Sequence, residues 1–145
     1  MTTPTLAGKR VLLLGAETEL GSEIARALAE AGVSLALVAV SNDPQTAFAV
    51  QRLARKLGAP VSQAIDATNE MAVRVMVRQV SKELGGLDGV VFCASSDSAF
   101  ALAEKHAKRE LVRSGGGCLL DARGESPADV ISGLVAVLAA PSSSE

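Results

Sequence analysis

A three-layer α/β sandwich built on a Rossmann-like parallel sheet is the fold this sequence predicts. Three observations point to it. Short aliphatic runs alternate with longer stretches whose apolar residues recur at helical spacing, the pattern of a parallel sheet covered on both faces. Glycines and capping residues fall at the changeovers. The chain has 145 residues, 48% hydrophobic but only 2% aromatic, so one domain with a core of Ala, Val and Leu is expected.

Val11-Leu12-Leu13-Leu14 is a continuous apolar run ending at Gly15, as a buried strand should be. Leu20, Ile24, Leu28 and Ala31 then follow at helical spacing, and Gly32 stops that helix. Leu35 to Val40 reads as the second strand. Asp43-Pro44 joins a capping side chain to a proline at the first helical position. Ala47, Val50, Leu53 and Leu57 line one face of this helix, and Gly58 ends it. Val61 to Ile65 is a weaker third strand. Thr68 or Asn69 opens the next helix, with Val73, Met76, Val80 and Leu84 inward and Gly85-Gly86 closing it. Asp88 to Ala94 is the fourth strand.

Residues 97 to 113 are charged and Ala-rich, an exposed helix. Gly115-Gly116-Gly117 turns the chain into a fifth strand, Cys118 to Ala122. Ser126-Pro127-Ala128-Asp129 is a capping signature, and Val130, Ile131, Leu134, Val135 and Leu138 give the last helix a wide apolar face. Right-handed crossovers lead to the strand order 3-2-1-4-5. Residues 1–8 read as an amino-terminal extension, 9–141 as the single domain and 142–145 as a tail.

A net charge of −2 gives no electrostatic reason to expect nucleic acid or an anionic membrane. No basic stripe with interleaved aromatics is present. The first eight residues lack a signal-peptide pattern. No apolar run approaches about 18 residues, so no membrane span is expected and the cytoplasm is the expected compartment. Two cysteines make no disulfide framework. A nucleophilic thiol needs a base nearby. The sole histidine, His106, stands in the charged stretch Glu104-Lys105-His106-Ala107-Lys108 and reads as a surface residue. Cys93 and Cys118 therefore read as core thiols, and no metal ligand set is assigned. Lys105, Lys108, Arg109 and Arg113, interrupted by Glu104 and Glu110, read as a solvated helical face with i,i+4 pairing.

The strongest candidate site is the turn from Gly15 to Gly21. A helix amino-terminus offers free N–H donors and partial positive charge, and glycine lets a phosphate touch the backbone. The stretch Gly8-Lys9-Arg10-Val11-Leu12-Leu13-Leu14-Gly15-Ala16-Glu17-Thr18-Glu19-Leu20-Gly21 resembles the opening of the short-chain dehydrogenase/reductase family. Gly15, Leu20 and Gly21 match that family's pattern, whereas Leu14 replaces its Thr and Glu19 its middle Gly. Asp66-Ala67-Thr68 resembles the family's Asp-x-Thr/Ser, whose Asp contacts adenine. Leu87-Asp88-Gly89-Val90-Val91-Phe92-Cys93-Ala94-Ser95 resembles the segment that ends Asn-Asn-Ala-Gly, of which Ala94 alone survives. Residues Pro127 to Pro141 resemble a late helix of the family. The resemblance covers about two thirds of the chain.

The resemblance implies a dinucleotide cofactor, NAD(P), held by Gly15, Glu19, Leu20, Gly21, Ser41, Asp66 and Ala94. It also implies subunit contacts near residues 105–113. The family's catalytic Ser follows the fifth strand, where this chain has Arg123 and Gly124. The Tyr-x-x-x-Lys helix is missing, and the chain contains no tyrosine. No catalytic residue is therefore assigned.

Two readings of the turn stand side by side. Glu17 and Glu19 either oppose a pyrophosphate or simply satisfy the helix dipole in its place. After the second strand, Ala39 and Val40 offer no ribose or phosphate contact. Ser41, Asn42 and Asp43 fit turn and cap chemistry as well as a cofactor role. Asp66 reads equally as an adenine contact or as a strand-end turn residue. The expectation is a catalytically inactive relative without a cofactor, acting through a homo-oligomer or a heteromer with a full-length relative. A nucleotide-binding module is the first alternative and an atypical oxidoreductase the second.

Overall fold

The aliphatic runs and capping signals build ten elements in a computed structural model that describes residues 6–138. In chain order they are β1 (Arg10–Leu14), α1 (Glu19–Glu30), β2 (Ser34–Ala39), α2 (Pro44–Leu57) and β3 (Val61–Ala64), then α3 (Glu70–Leu84), β4 (Gly89–Phe92), α4 (Asp97–Arg113), β5 (Cys118–Asp121) and α5 (Pro127–Leu138). All pairings are parallel, in the order β3-β2-β1-β4-β5, as the sequence predicts. The expected tail over 142–145, and all but the last residues of the expected extension, lie outside the described residues. Within that extension Leu6 is buried in the core, and the Gly8 N–H donates to the Gly32 carbonyl at 3.0 Å.

Strand alternation divides the core in two. Leu12, Leu14, Val38, Val90 and Phe92 face α3 and α4. Val11, Leu13, Leu35, Leu37 and Val91 face α1, α2 and α5. Each such Leu or Val contributes roughly 1.5–3 kcal/mol by leaving water, so the central strands anchor the fold mainly through aliphatic side chains, with Phe92 the one aromatic among those named. Side chains cap the helices as expected: Asp43 accepts from the Gln45 and Thr46 amides, Asn69 from Ala72 and Ser126 from Asp129. Gly58 and Gly85 end α2 and α3 in the left-handed region.

Two expectations need correction. β1 ends at Leu14 as expected, but β2 to β5 stop one or two residues earlier than their apolar runs, because the run residues beyond them turn into the loops of the carboxyl edge. The second concerns α4, which is not an exposed helix. Ala99, Ala103, His106, Ala107, Glu110 and Leu111 form a buried stripe against α3 and the sheet. His106 is only 5% exposed and its Nε2 lies 3.0 Å from Glu70 Oε2, while Glu110 is buried beside Arg113 at 3.6 Å. Among the charged neighbours Lys108 pairs Glu104 at i,i+4 and 3.3 Å as expected, whereas Lys105 reaches Glu70 at 2.6 Å on α3.

Candidate functional site

Parallel strands bring their carboxyl ends to one edge, and the strand order reverses between β1 and β4. Open α/β sheets bind ligands in the crevice at that switch point. Gly15 leaves β1 there and Ala94 leaves β4. Gly15 has φ +94°, and a Cβ on it would come within 2.7 Å of the Ala94 nitrogen, so glycine is required both by conformation and by the neighbouring chain.

Thr18, which sequence reasoning left unassigned, organises the turn. Its Oγ1 donates to the Gly15 carbonyl at 2.8 Å and accepts from the Gly21 N–H at 2.9 Å. A Cβ at Gly21 would collide with the Gly15 carbonyl oxygen. Gly21 is thus demanded by the packing of the turn itself. Leu20 is half-buried against the α1 side of the core, and Glu19 is exposed in the first turn of α1, where its charge suits the helix dipole.

Glu17 departs from the expectation that it would share that role. Its carboxylate leaves the helix end and accepts from the Val40 N–H, with oxygens at 3.3 and 3.4 Å. Burial pushes its carboxyl above the usual range, partly offset by backbone N–H donors.

Ser41 and Asp66 follow β2 and β3 on the same edge, apart from the Gly15–Ala94 crevice. Both are exposed and both serve their own turns. Ser41 Oγ accepts from the Asp43 amide at 3.3 Å. Asp66 Oδ1 accepts from Thr68 Oγ1 at 2.6 Å and from its amide at 3.1 Å, and the hydroxyl holds the Asp66 carboxyl below the usual range.

At the other end of the edge, Arg123 follows β5. Its guanidinium binds Asp121 at 2.8 Å and Asp97 at 2.7 Å, and lies 4.7 Å from the Phe100 ring centre and 5.4 Å from that of Phe92. Those carboxylates raise the Arg123 pKa, and Arg123 holds Asp121 below the usual range. Sequence reasoning noted Arg123 only as a substituted position. Its partner Asp97 lies 26 residues away, and only the fold joins them.

The remaining candidate groups lie elsewhere. Cys93 is buried below the turn, donating to the Leu14 carbonyl at 3.1 Å, and burial pushes its thiol up to about 12. Cys118 lies opposite Gly89, towards the other end of the β4–β5 pair. Among the described residues, no three His, Cys, Asp or Glu side chains gather as a metal site.

A dinucleotide fits this edge poorly as it stands. The Gly15 and Ala94 backbones still approach closely, but the Glu17 carboxylate already takes the Val40 N–H and Glu19 stands at the helix end. A phosphate at about 5 Å from each would meet repulsion on the order of a few kcal/mol at intermediate dielectric. Past β5 the chain enters α5, which packs on α1 rather than beside α4. The edge between β4 and β5 carries the ion-paired Arg123.

Comparison with known proteins agrees with the fold. A family model described as Enoyl-(Acyl carrier protein) reductase matches residues 15–114. A short chain dehydrogenase from Pseudocercospora fijiensis is 30% identical over 86 residues, covering 59% of this chain and 28% of that protein. A short-chain type dehydrogenase/reductase structure from Mycobacterium ulcerans matches at TM-score 0.68 and 29% identity, over 79% of this chain and 50% of that one. An NAD+-bound xylitol dehydrogenase shares the fold at TM-score 0.66 and 22% identity, again over 79% of this chain and 52% of that one. The chain thus spans about half or less of the length of these relatives. With the family model covering more than half of its residues, this chain belongs to the short-chain dehydrogenase/reductase family.

Proposed function

We propose that this chain is a non-catalytic short-chain dehydrogenase/reductase unit that works by self-association. The observation that carries the first half is Arg123. It occupies the position after β5 where the resemblance expects a catalytic Ser, and two aspartates hold it there. A guanidinium cannot act as a neutral proton donor near pH 7.

Self-association is supported by the outer edge of β5. Among the described residues this strand has one neighbour, β4. Its apolar residues Cys118, Leu119 and Leu120 are only half-buried, with no Lys or Pro to block pairing. A groove of about 430 Å³ beside it is lined by Phe100, Leu111, Val112 and Leu119 together with the charged Glu104 and Lys108, and Val112 is 77% exposed. A second copy related by a two-fold axis would pair the edges and cover both grooves. Size exclusion with light scattering should give a dimer, and a monomer at micromolar concentration would count against the reading. Nicotinamide turnover followed at 340 nm should not exceed a no-enzyme control.

A nucleotide-binding module is the second reading, favoured by the close backbone approach at Gly15 and Ala94. Thermal shift with NAD, NADP and adenine nucleotides separates the two. A bound ligand at a hundredfold excess over its Kd adds about 2.7 kcal/mol, and absence of a shift at millimolar ligand rejects this reading.

A further inference from the structure

We propose that the outer face of α3, with Arg113 of α4, is a docking surface for an acidic amphipathic helix of a partner protein. Arg74, Arg78 and Lys82 stand at i, i+4 and i+8 on α3 and are all exposed. None of the three has a carboxylate partner among the described residues. Arg113 joins them across a groove of about 750 Å³. The groove holds one carboxylate, Glu110, which is buried and already paired with Arg113 at 3.6 Å. Four cations against one carboxylate make this a positive surface on a chain whose net charge is −2.

Shape and chemistry favour a helix over a small anion. The cationic row runs about 12 Å along the axis, at 1.5 Å per residue. Met71 and Val75 share the same outward face and are 58% and 51% exposed. An apolar stripe beside a row of cations matches a helix carrying carboxylates at i and i+4 next to apolar anchors. A bare phosphate would leave those two side chains in water. The surface lies on α3, on the side away from the crevice at Gly15, and does not depend on the β5 edge.

The test uses a capped amphipathic peptide of about five helical turns, with glutamates at i, i+4 and i+8 beside leucines, followed by fluorescence anisotropy on the full chain. Saturable binding is expected, weakening as salt is raised. The double variant Arg74→Glu/Arg78→Glu should lose at least about tenfold in affinity, a fold-change of about 1.4 kcal/mol. Arg55→Glu/Lys56→Glu makes the same charge change on α2 and should bind as the wild type does. Circular dichroism of each variant should be unchanged, since all four positions are exposed. Absent peptide binding overturns the proposal, as does equal loss in both double variants. It is also overturned if phosphatidylserine vesicles or tripolyphosphate bind this face and the peptide does not.

Discussion

The Glu17 carboxylate lies 3.3 Å from the Val40 backbone nitrogen, tying the first βα turn to the end of β2. A side-chain anion thus satisfies the edge between the two strands, close to the glycine turn. The same contact explains why β2 ends at Ala39: the Val40 N–H turns to Glu17 while its carbonyl accepts from Ala67 at 3.2 Å.

Glu17→Gln tests the strain in that contact. Burial raises the Glu17 pKa in the folded state, so folded chains hold a proton that unfolded chains release just above the ordinary carboxylate range. Stability falls as pH rises through that window. The glutamine keeps an acceptor for Val40 and removes the buried charge. At neutral pH the variant should be modestly more stable than the wild type, the effect being reduced by solvent screening. Urea midpoints across acid and neutral pH should show a flatter profile than the wild type.

Arg123→Ser restores a hydroxyl at the family's catalytic position but leaves Asp97 and Asp121 without their cation. We expect a lower Tm at neutral pH and still no nicotinamide turnover. Arg123 lowers the Asp121 pKa, so its contribution is present above the ordinary carboxylate range and lost as pH falls through the lowered value. The stability difference between variant and wild type should therefore shrink in acid.

Gly15→Ala should be severely destabilising. The residue sits at φ +94° and its new Cβ would press on Ala94 at 2.7 Å. Backbone strain and overpacking together predict about 2–5 kcal/mol, read from the denaturant midpoint.

The two thiols should separate kinetically. Cys93, buried and pushed up to about 12, should resist a disulfide reagent at mildly alkaline pH until the chain unfolds. Cys118 is half-buried with a thiol also raised by burial, so it should react slowly but first. Mass spectrometry of time points assigns the order.

The fold was legible because local signals agreed with one another. Apolar runs such as Val11–Leu14 marked strands, and caps such as Asp43-Pro44 and Asn69 marked helix starts. What sequence reading missed was phase and distance. His106 was judged by its charged neighbours, yet its spacing from Ala99, Ala103 and Glu110 puts it on the buried stripe of α4. That periodicity was available as a signal. The Arg123–Asp97 pair was not, since it depends on where β4 and β5 end together. Of the seven residues expected at the site, the fold packs Gly15 against Ala94 and Gly21 against Gly15, but the reach of Glu17 to Val40 crosses between strands and left no mark in local pattern.

Isothermal titration of NAD+ and NADP+ into the wild-type chain is the most direct test of whether the carboxyl edge has lost its dinucleotide site. No saturable heat should appear up to millimolar cofactor. Micromolar binding by the wild type would contradict this, most decisively if Glu17→Gln left the affinity unchanged.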